Sequence, residues 1–203
     1  MKSKGAHITA VTGGIGSGKS VVCTILRAMG YKVYDTDAAA KSLIETNEGV
    51  QYRIKDWVCR NAFTKTGKYN RSAVAKVVFK NRDKLQLLND IVHGAVADDM
   101  AEWIEANSKD AKDHRLFIET ALLYTSGLYR HVHDEWRVEA PEHIRIDRVM
   151  ARNALTREAV LDRIAAQASE YPAEDKLPVF KILNDGLSPV LPQLTDLLQN
   201  PAD

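Results

Sequence analysis

TGGIGSGKS, residues Thr12 to Ser20, lies between an apolar strand-like run at 8–11 and a helix-like run at 21–29. Four residues separate Gly13 from Gly18, and Lys19 and Ser20 follow at once. That spacing lets backbone amides from Gly13, Gly14, Ile15, Gly16, Ser17 and Gly18 wrap a polyphosphate while a lysine reaches its outer phosphates. Glycine is needed where consecutive amides point inward and an anion must come close to the backbone. Ser20 offers a hydroxyl to Mg²⁺. Lys19, Ser20 and Val21 open a helix whose positive dipole end faces the phosphates.

Outward from the loop, the helix runs to Gly30, placed as a C′ glycine, and KVYDTD reads as a short second strand ending in Asp35 and Asp37. Ligands gather at such carboxyl ends of parallel strands. From Ala38 to Asn107 the sequence turns helical. In its last run Leu85, Leu88, Val92, Val96, Met100 and Trp103 recur at three- and four-residue spacing, which predicts one buried stripe. Strand character returns in LFIE (116–119) and more weakly at 136–140, where Glu135, Arg137 and Glu139 alternate with Trp136 and Val138. Such alternation is foreign to a parallel strand covered on both faces. Helices are predicted in EHIRIDRVMARN after Pro141 and in REAVLDRIAAQA after Thr156. VFKIL then reads as a strand, NDG as a turn and SPVLPQLTDLLQ as a closing helix. Strands alternating with helices around a phosphate loop predict an α/β fold with a parallel sheet.

The chain has 203 residues, 45% of them hydrophobic and 27% charged, which suits one sizeable core with an elaboration. A formal net charge of +1 without a long basic run argues against a nucleic-acid surface. No stretch approaches a membrane span, and the basic N-terminus enters a strand without an apolar signal core, so a cytoplasmic protein is expected. Cys23 and Cys59 have no CxxC spacing and support neither a disulfide framework nor a zinc site. His131 and His133 read as a surface pair without a third metal ligand.

The loop, MGYKVYDTDAAAK, IVHGAV, ETALLYTSGLY, RVMARNALTREAVLDRIAAQ and ILNDG, in this order, resemble the dephospho-CoA kinase family over about residues 8–198. The resemblance implies a P-loop NTPase fold, a parallel sheet flanked by helices, with a core at about 1–37, 108–141 and 178–203. A helical CoA-binding insertion at about 38–107 and a mobile lid at about 142–177 complete it. It implies transfer of the γ-phosphoryl of ATP, with Mg²⁺, to the ribose 3′-hydroxyl of dephospho-CoA, by a monomer or weak homo-oligomer that needs neither nucleic acid nor membrane. By the same resemblance ATP is held by residues 13–21, with Lys19 on its phosphates. Asp37 is the base or acceptor-orienting group, Arg148 and Arg152 are lid arginines, Asn184 lies near the adenine and His93 belongs to the substrate subdomain. The chain departs from the family's pattern at Gly94, Ala121, Thr125, Pro178, Val179 and Lys41.

Each of these residues also has a plainer reading. Asp37 and Asp35 suit helix capping, Arg148 and Arg152 a solvated helix face, and His93 a satisfied core position. Glu119 either takes a metal-bound water or orients the base, or is a sheet-end ion-pair partner. Another small-molecule P-loop kinase, or a relative that binds nucleotide without catalysis, stays open beside the kinase reading. A GTPase-type regulator is disfavoured, because NDG at Asn184 is no guanine-reading NKxD motif.

Overall fold

The computed structural model of the chain describes residues 5–200. Strands β1 (His7–Thr12), β2 (Lys32–Asp35), β3 (Arg115–Glu119), β4 (Asp134–Glu139) and β5 (Val179–Leu183) form one sheet in the order β2–β3–β1–β4–β5. β1 pairs in parallel with β3 on one side and β4 on the other, and β4 pairs in parallel with β5. The chain builds β2 and β3 on one side of β1 before crossing to β4. β1 therefore stands at the point where strand order reverses, where an open α/β sheet offers a crevice at its carboxyl ends. The glycine loop leaves the sheet at that point. Helices α1 (Lys19–Ala28) and α8 (Val190–Gln199) cover one face, where Val22, Cys23, Leu26 and Leu194 pack with Val11, Phe117, Trp136 and Val138. Phe117 and Trp136 meet with ring centroids 5.1 Å apart.

β4 begins at Asp134, two residues ahead of its expected start, and its polar alternation has a physical cause. Trp136 and Val138 face the apolar cluster, while Glu135 and Arg137 face the other side. Glu135 is fully buried, and Arg137 grips both its oxygens, with Nε 2.9 Å and Nη2 2.8 Å away. The Thr12 and Tyr124 hydroxyls donate to the same carboxylate. A buried carboxylate is tolerated only with such partners, and removing one partner of a buried pair costs about 3–5 kcal/mol.

The chain divides into two compact units: the segment up to Tyr34 together with that from Ala106 onward, and Asp35–Glu105. The second unit holds α2 (Thr36–Thr46), α3 (Glu48–Arg53), α4 (Arg71–Val78) and all but the last two residues of α5 (Arg82–Asn107). α3 runs into a π-helical turn at Ile54–Val58. Val50, Ile54, Val58, Ala62, Val74, Ile91 and Ala95 make its core, with Leu87, Leu88 and Val92 packed around them. Ile91, Ala95, Val96 and Met100 are the buried residues of α5, and Leu88, Val92 and Trp103 are partly buried, so of the expected stripe Leu85 alone is exposed. A cleft of about 290 Å³ opens in this unit between apolar walls from Ile44, Val74, Val78 and Leu88, with Lys41 and Arg71 among its lining.

In the first unit α6 (Glu142–Asn153) and α7 (Arg157–Ala166) form a hairpin. Thr156 caps α7 by accepting the Ala159 amide. Ile146, Val149 and Val160 form the hairpin's own core.

Candidate active site

Gly18 is the N-cap of α1 with φ 97°, and Lys19 is the first helical residue, so the loop ends at a helix N-terminus. This is the geometry that receives phosphate. The Lys19 ammonium reaches back across the loop to the Gly13 carbonyl at 2.9 Å. Not every loop amide faces inward: Ser17 N–H donates to the Gly14 carbonyl at 3.0 Å, and Ile15 N–H donates to Gln167 Oε1 at 2.7 Å. The Ser17 hydroxyl is buried and has no hydrogen-bond partner inside the protein.

Two arginines from one face of α6 meet the loop. Arg148 Nη1 donates to the carbonyls of Gly16 (3.4 Å), Ser17 (3.5 Å) and Asn184 (3.0 Å). The Asn184 side chain is used twice, accepting from Arg148 Nη2 at 3.4 Å and donating to the Ser17 carbonyl at 2.8 Å. It braces the loop. Arg145, which the sequence reading passed over, donates Nε to the Ile15 carbonyl at 2.9 Å. Its guanidinium fills the space a side chain at position 14 would need, and Asn184 Nδ2 does the same at Gly18. Bare glycine at these two positions is what admits both groups. The signal that would have found Arg145 is its place three residues before Arg148, on the same helix face. Arg152 stands apart: it is exposed, and its Nε donates to Asn153 at 2.9 Å.

Glu119 ends β3 in register with Val11, one strand residue short of the loop. It is buried, its Oε2 is 3.4 Å from Arg27 Nη2, and it bonds the Cys23 thiol. Burial foremost, with this carboxylate next, pushes that thiol well above its ordinary range, so Cys23 is an inert core residue. In the NDG turn, Asp185 accepts the amides of Ser188 (2.7 Å) and Leu187 (2.9 Å), which hold its carboxyl below the usual range. This turn carries Asn184 at the carboxyl end of β5.

Asp35, Asp37 and His93 belong to the second unit. Asp35 ends β2 and caps α2, accepting the Ala38 amide at 2.9 Å. Asp37 is already inside α2, where a strand end was expected, and is exposed. His93 is partly buried on α5 beside Val92. Both histidines of the HVH pair are exposed, as expected; His131 ends a 3₁₀ turn, while His133 stacks on His7 at 4.8 Å and accepts the Ile8 amide at 2.9 Å.

Among the described residues no group of three or more His, Cys, Asp or Glu is arranged to hold a metal ion. An exposed Ser20 hydroxyl in the first turn of α1 suits Mg²⁺ nonetheless, because that ion is commonly held by one or two protein oxygens together with substrate phosphates. No helix among the described residues is long and apolar enough to cross a membrane.

A family model described as dephospho-CoA kinase matches residues 7–187. A dephospho-CoA kinase of Carboxydothermus hydrogenoformans is 32% identical over 178 residues, 88% of this chain and 84% of the relative. A crystal structure from Thermus thermophilus superposes with a TM-score of 0.76 at 33% identity, over 97% of this chain and 96% of that one. The dephospho-CoA kinase from Campylobacter jejuni shares the fold, with a TM-score of 0.64 at 20% identity over 95% and 96% of the two chains. A phosphate loop braced by arginines at the strand-order reversal of a parallel sheet, and a family match over nearly its whole length, make this chain a kinase of the dephospho-CoA kinase family.

Proposed function

We propose that the chain transfers the γ-phosphoryl of ATP to the ribose 3′-hydroxyl of dephospho-CoA, giving coenzyme A and ADP. The observation that carries this is the family match across residues 7–187, which includes the loop, α6 and the NDG turn. Phosphoryl transfer through a loose transition state leaves the protein to align the reactants and stabilise charge. Lys19 and the inward amides at the start of α1 take the β- and γ-phosphate oxygens. Arg145 and Arg148 add fixed positive charge beside the loop. Ser20 would hold Mg²⁺, which would supply charge neutralisation on the phosphates, and Glu119 would be the carboxylate available to orient a water beside it. Asp37 takes the hydrogen of the acceptor hydroxyl.

The second unit suits an acceptor that carries a pyrophosphate and a long arm with apolar stretches between its amides. Between Arg53 and Lys84 the sequence has ten lysines and arginines against two carboxylates, Asp56 and Asp83. The cleft of that unit joins apolar walls to Lys41 and Arg71, and His93 lies on the helix that supplies Leu88 to it. A cytoplasmic location agrees with two buried, unpaired cysteines, the form kept by a reducing compartment.

The test is incubation with ATP, Mg²⁺ and dephospho-CoA, read by mass spectrometry for a product heavier by one phosphoryl group at the 3′ position. Lys19→Ala run alongside should stay folded and lose nearly all transfer. Phosphorylation of a nucleoside monophosphate or sugar in place of dephospho-CoA would overturn the acceptor assignment.

A further inference from the structure

We propose that Gln167 is a positioning residue of the phosphate loop: its side-chain carbonyl holds the Ile15 amide and so fixes the tip of the loop for transfer. The kinetic half of this inference rests on the acceptor reading above.

Ile15 is held in three ways by the α6–α7 hairpin and its exit. Its N–H donates to Gln167, its carbonyl accepts from Arg145, and its side chain packs on the cluster of Ile146, Val149 and Val160. A loop tip tied by both backbone groups and by its side chain moves with the hairpin.

Gln167 is itself well placed to act as an anchor. Its backbone N–H closes the end of α7 on the carbonyls of Arg163 and Ile164. Three residues on, Glu170 is buried and accepts the amides of Tyr124 (2.6 Å) and Thr125 (3.3 Å) and the Thr125 hydroxyl (2.6 Å). Arg137 then lies 4.9 Å from the Tyr171 ring centroid and donates to Asp175 at 3.0 Å. Arg137 also grips Glu135, which accepts the Thr12 hydroxyl at the start of the loop. Residues 167–175 thus form a strap tied to the loop directly at Ile15 and, through Arg137 and Glu135 of β4, indirectly at Thr12. The other half of the loop has a separate brace, Arg148 and Asn184 on Gly16 and Ser17.

Two braces on two halves predict separable effects. Losing the Gln167 carbonyl unties the Ile15 amide, one of the tip's three anchors, and leaves the helix-side half, with Lys19, able to bind ATP. Gln167→Met keeps length and removes the acceptor, and should lower kcat about tenfold, the scale of one net hydrogen bond, with the ATP KM within about twofold of wild type.

The test pairs amide hydrogen exchange by NMR, on the full chain without substrates, with steady-state kinetics and thermal unfolding. The expected result is loss of Ile15 protection in Gln167→Met, its retention in Gln167→Glu, which keeps a side-chain oxygen acceptor, and a kcat loss in Gln167→Met at near wild-type Tm. Unchanged Ile15 protection in Gln167→Met, lost protection with unchanged kcat, or a fall in Tm that accounts for the lost activity would each overturn it. A wild-type chain inactive toward dephospho-CoA would end the acceptor reading alone, because exchange reports the tether without substrate.

Discussion

Asp35 and Asp37 stand two residues apart, and the start of α2 gives them different work. Asp35 has extended backbone angles, φ −105° and ψ 106°, and spends its carboxylate on the Ala38 amide. Asp37, one residue inside the helix and exposed, has a carboxylate that capping does not consume. Asparagine caps as well as aspartate, so Asp35→Asn should leave both stability and activity near wild type, while Asp35→Ala should cost about 1 kcal/mol of stability. Asp37→Asn should keep the fold apart from a few tenths of a kcal/mol of favourable charge at the helix N-terminus. If Asp37 is the acceptor-orienting group, that change should lower kcat by roughly two to four orders of magnitude, because the amide cannot take up the hydroxyl's proton. The check is kcat and Tm for the three variants at saturating ATP and dephospho-CoA. Greater damage from Asp35→Asn than from Asp37→Asn would return Asp37 to a merely helical role.

At the scale of elements, α5 carries a glycine in its interior that nothing requires. A Cβ built at Gly94 meets no atom within 4 Å, the position is exposed, and its φ is not in the left-handed region. Gly94→Ala should therefore raise unfolding free energy by about 0.5–1 kcal/mol, read as a higher urea midpoint with an unchanged m-value. No gain would show that the bare backbone is used for something other than helix formation. The same contrast between local and distant causes decides what the sequence could reveal. β1, the loop and α1 were legible because glycine spacing, an apolar run before it and a helical run after it all sit within some twenty residues. The true extent of β4 was not, because Glu135 and Arg137 look like a solvent-facing alternation until Thr12, Tyr124 and Asp175 arrive from distant segments to satisfy them. Asn184 was placed near the nucleotide by resemblance, but its double use by Ser17 and Arg148 is a tertiary fact. Arg145 was available from helical spacing. Gln167, at the end of α7, had no local signal to mark it.

For the whole molecule, the ionisations that matter most for pH lie on the alkaline side. Tyr31 is pushed up to about 12, by burial first and then by its hydrogen bond to Asp113. Tyr171, on the strap, is pushed up to about 12 by burial and by the Glu135 charge. Tyr124 is raised by burial and by Glu135, and Tyr69 in the second unit is raised by burial. An unfolded chain releases a tyrosine proton near pH 10, so between about 10 and 12 the folded state binds more protons than the unfolded one. The slope of stability against pH is then negative, and the contribution of these phenols is complete below about pH 10 and declines as pH rises toward 12. The urea midpoint should accordingly begin to fall above about pH 8.5, where the unfolded chain ionises the thiol that burial keeps protonated in Cys23, and fall more steeply above about 10 as the phenols join it. Replacing Tyr31 and Tyr171 with phenylalanine removes two of the groups whose deprotonation drives that fall. The double variant should start from a lower stability at pH 8, having lost the Tyr31–Asp113 bond, and then decline with a slope shallower by up to about one proton for each phenol removed. An alkaline slope identical to wild type would assign the transition to other groups.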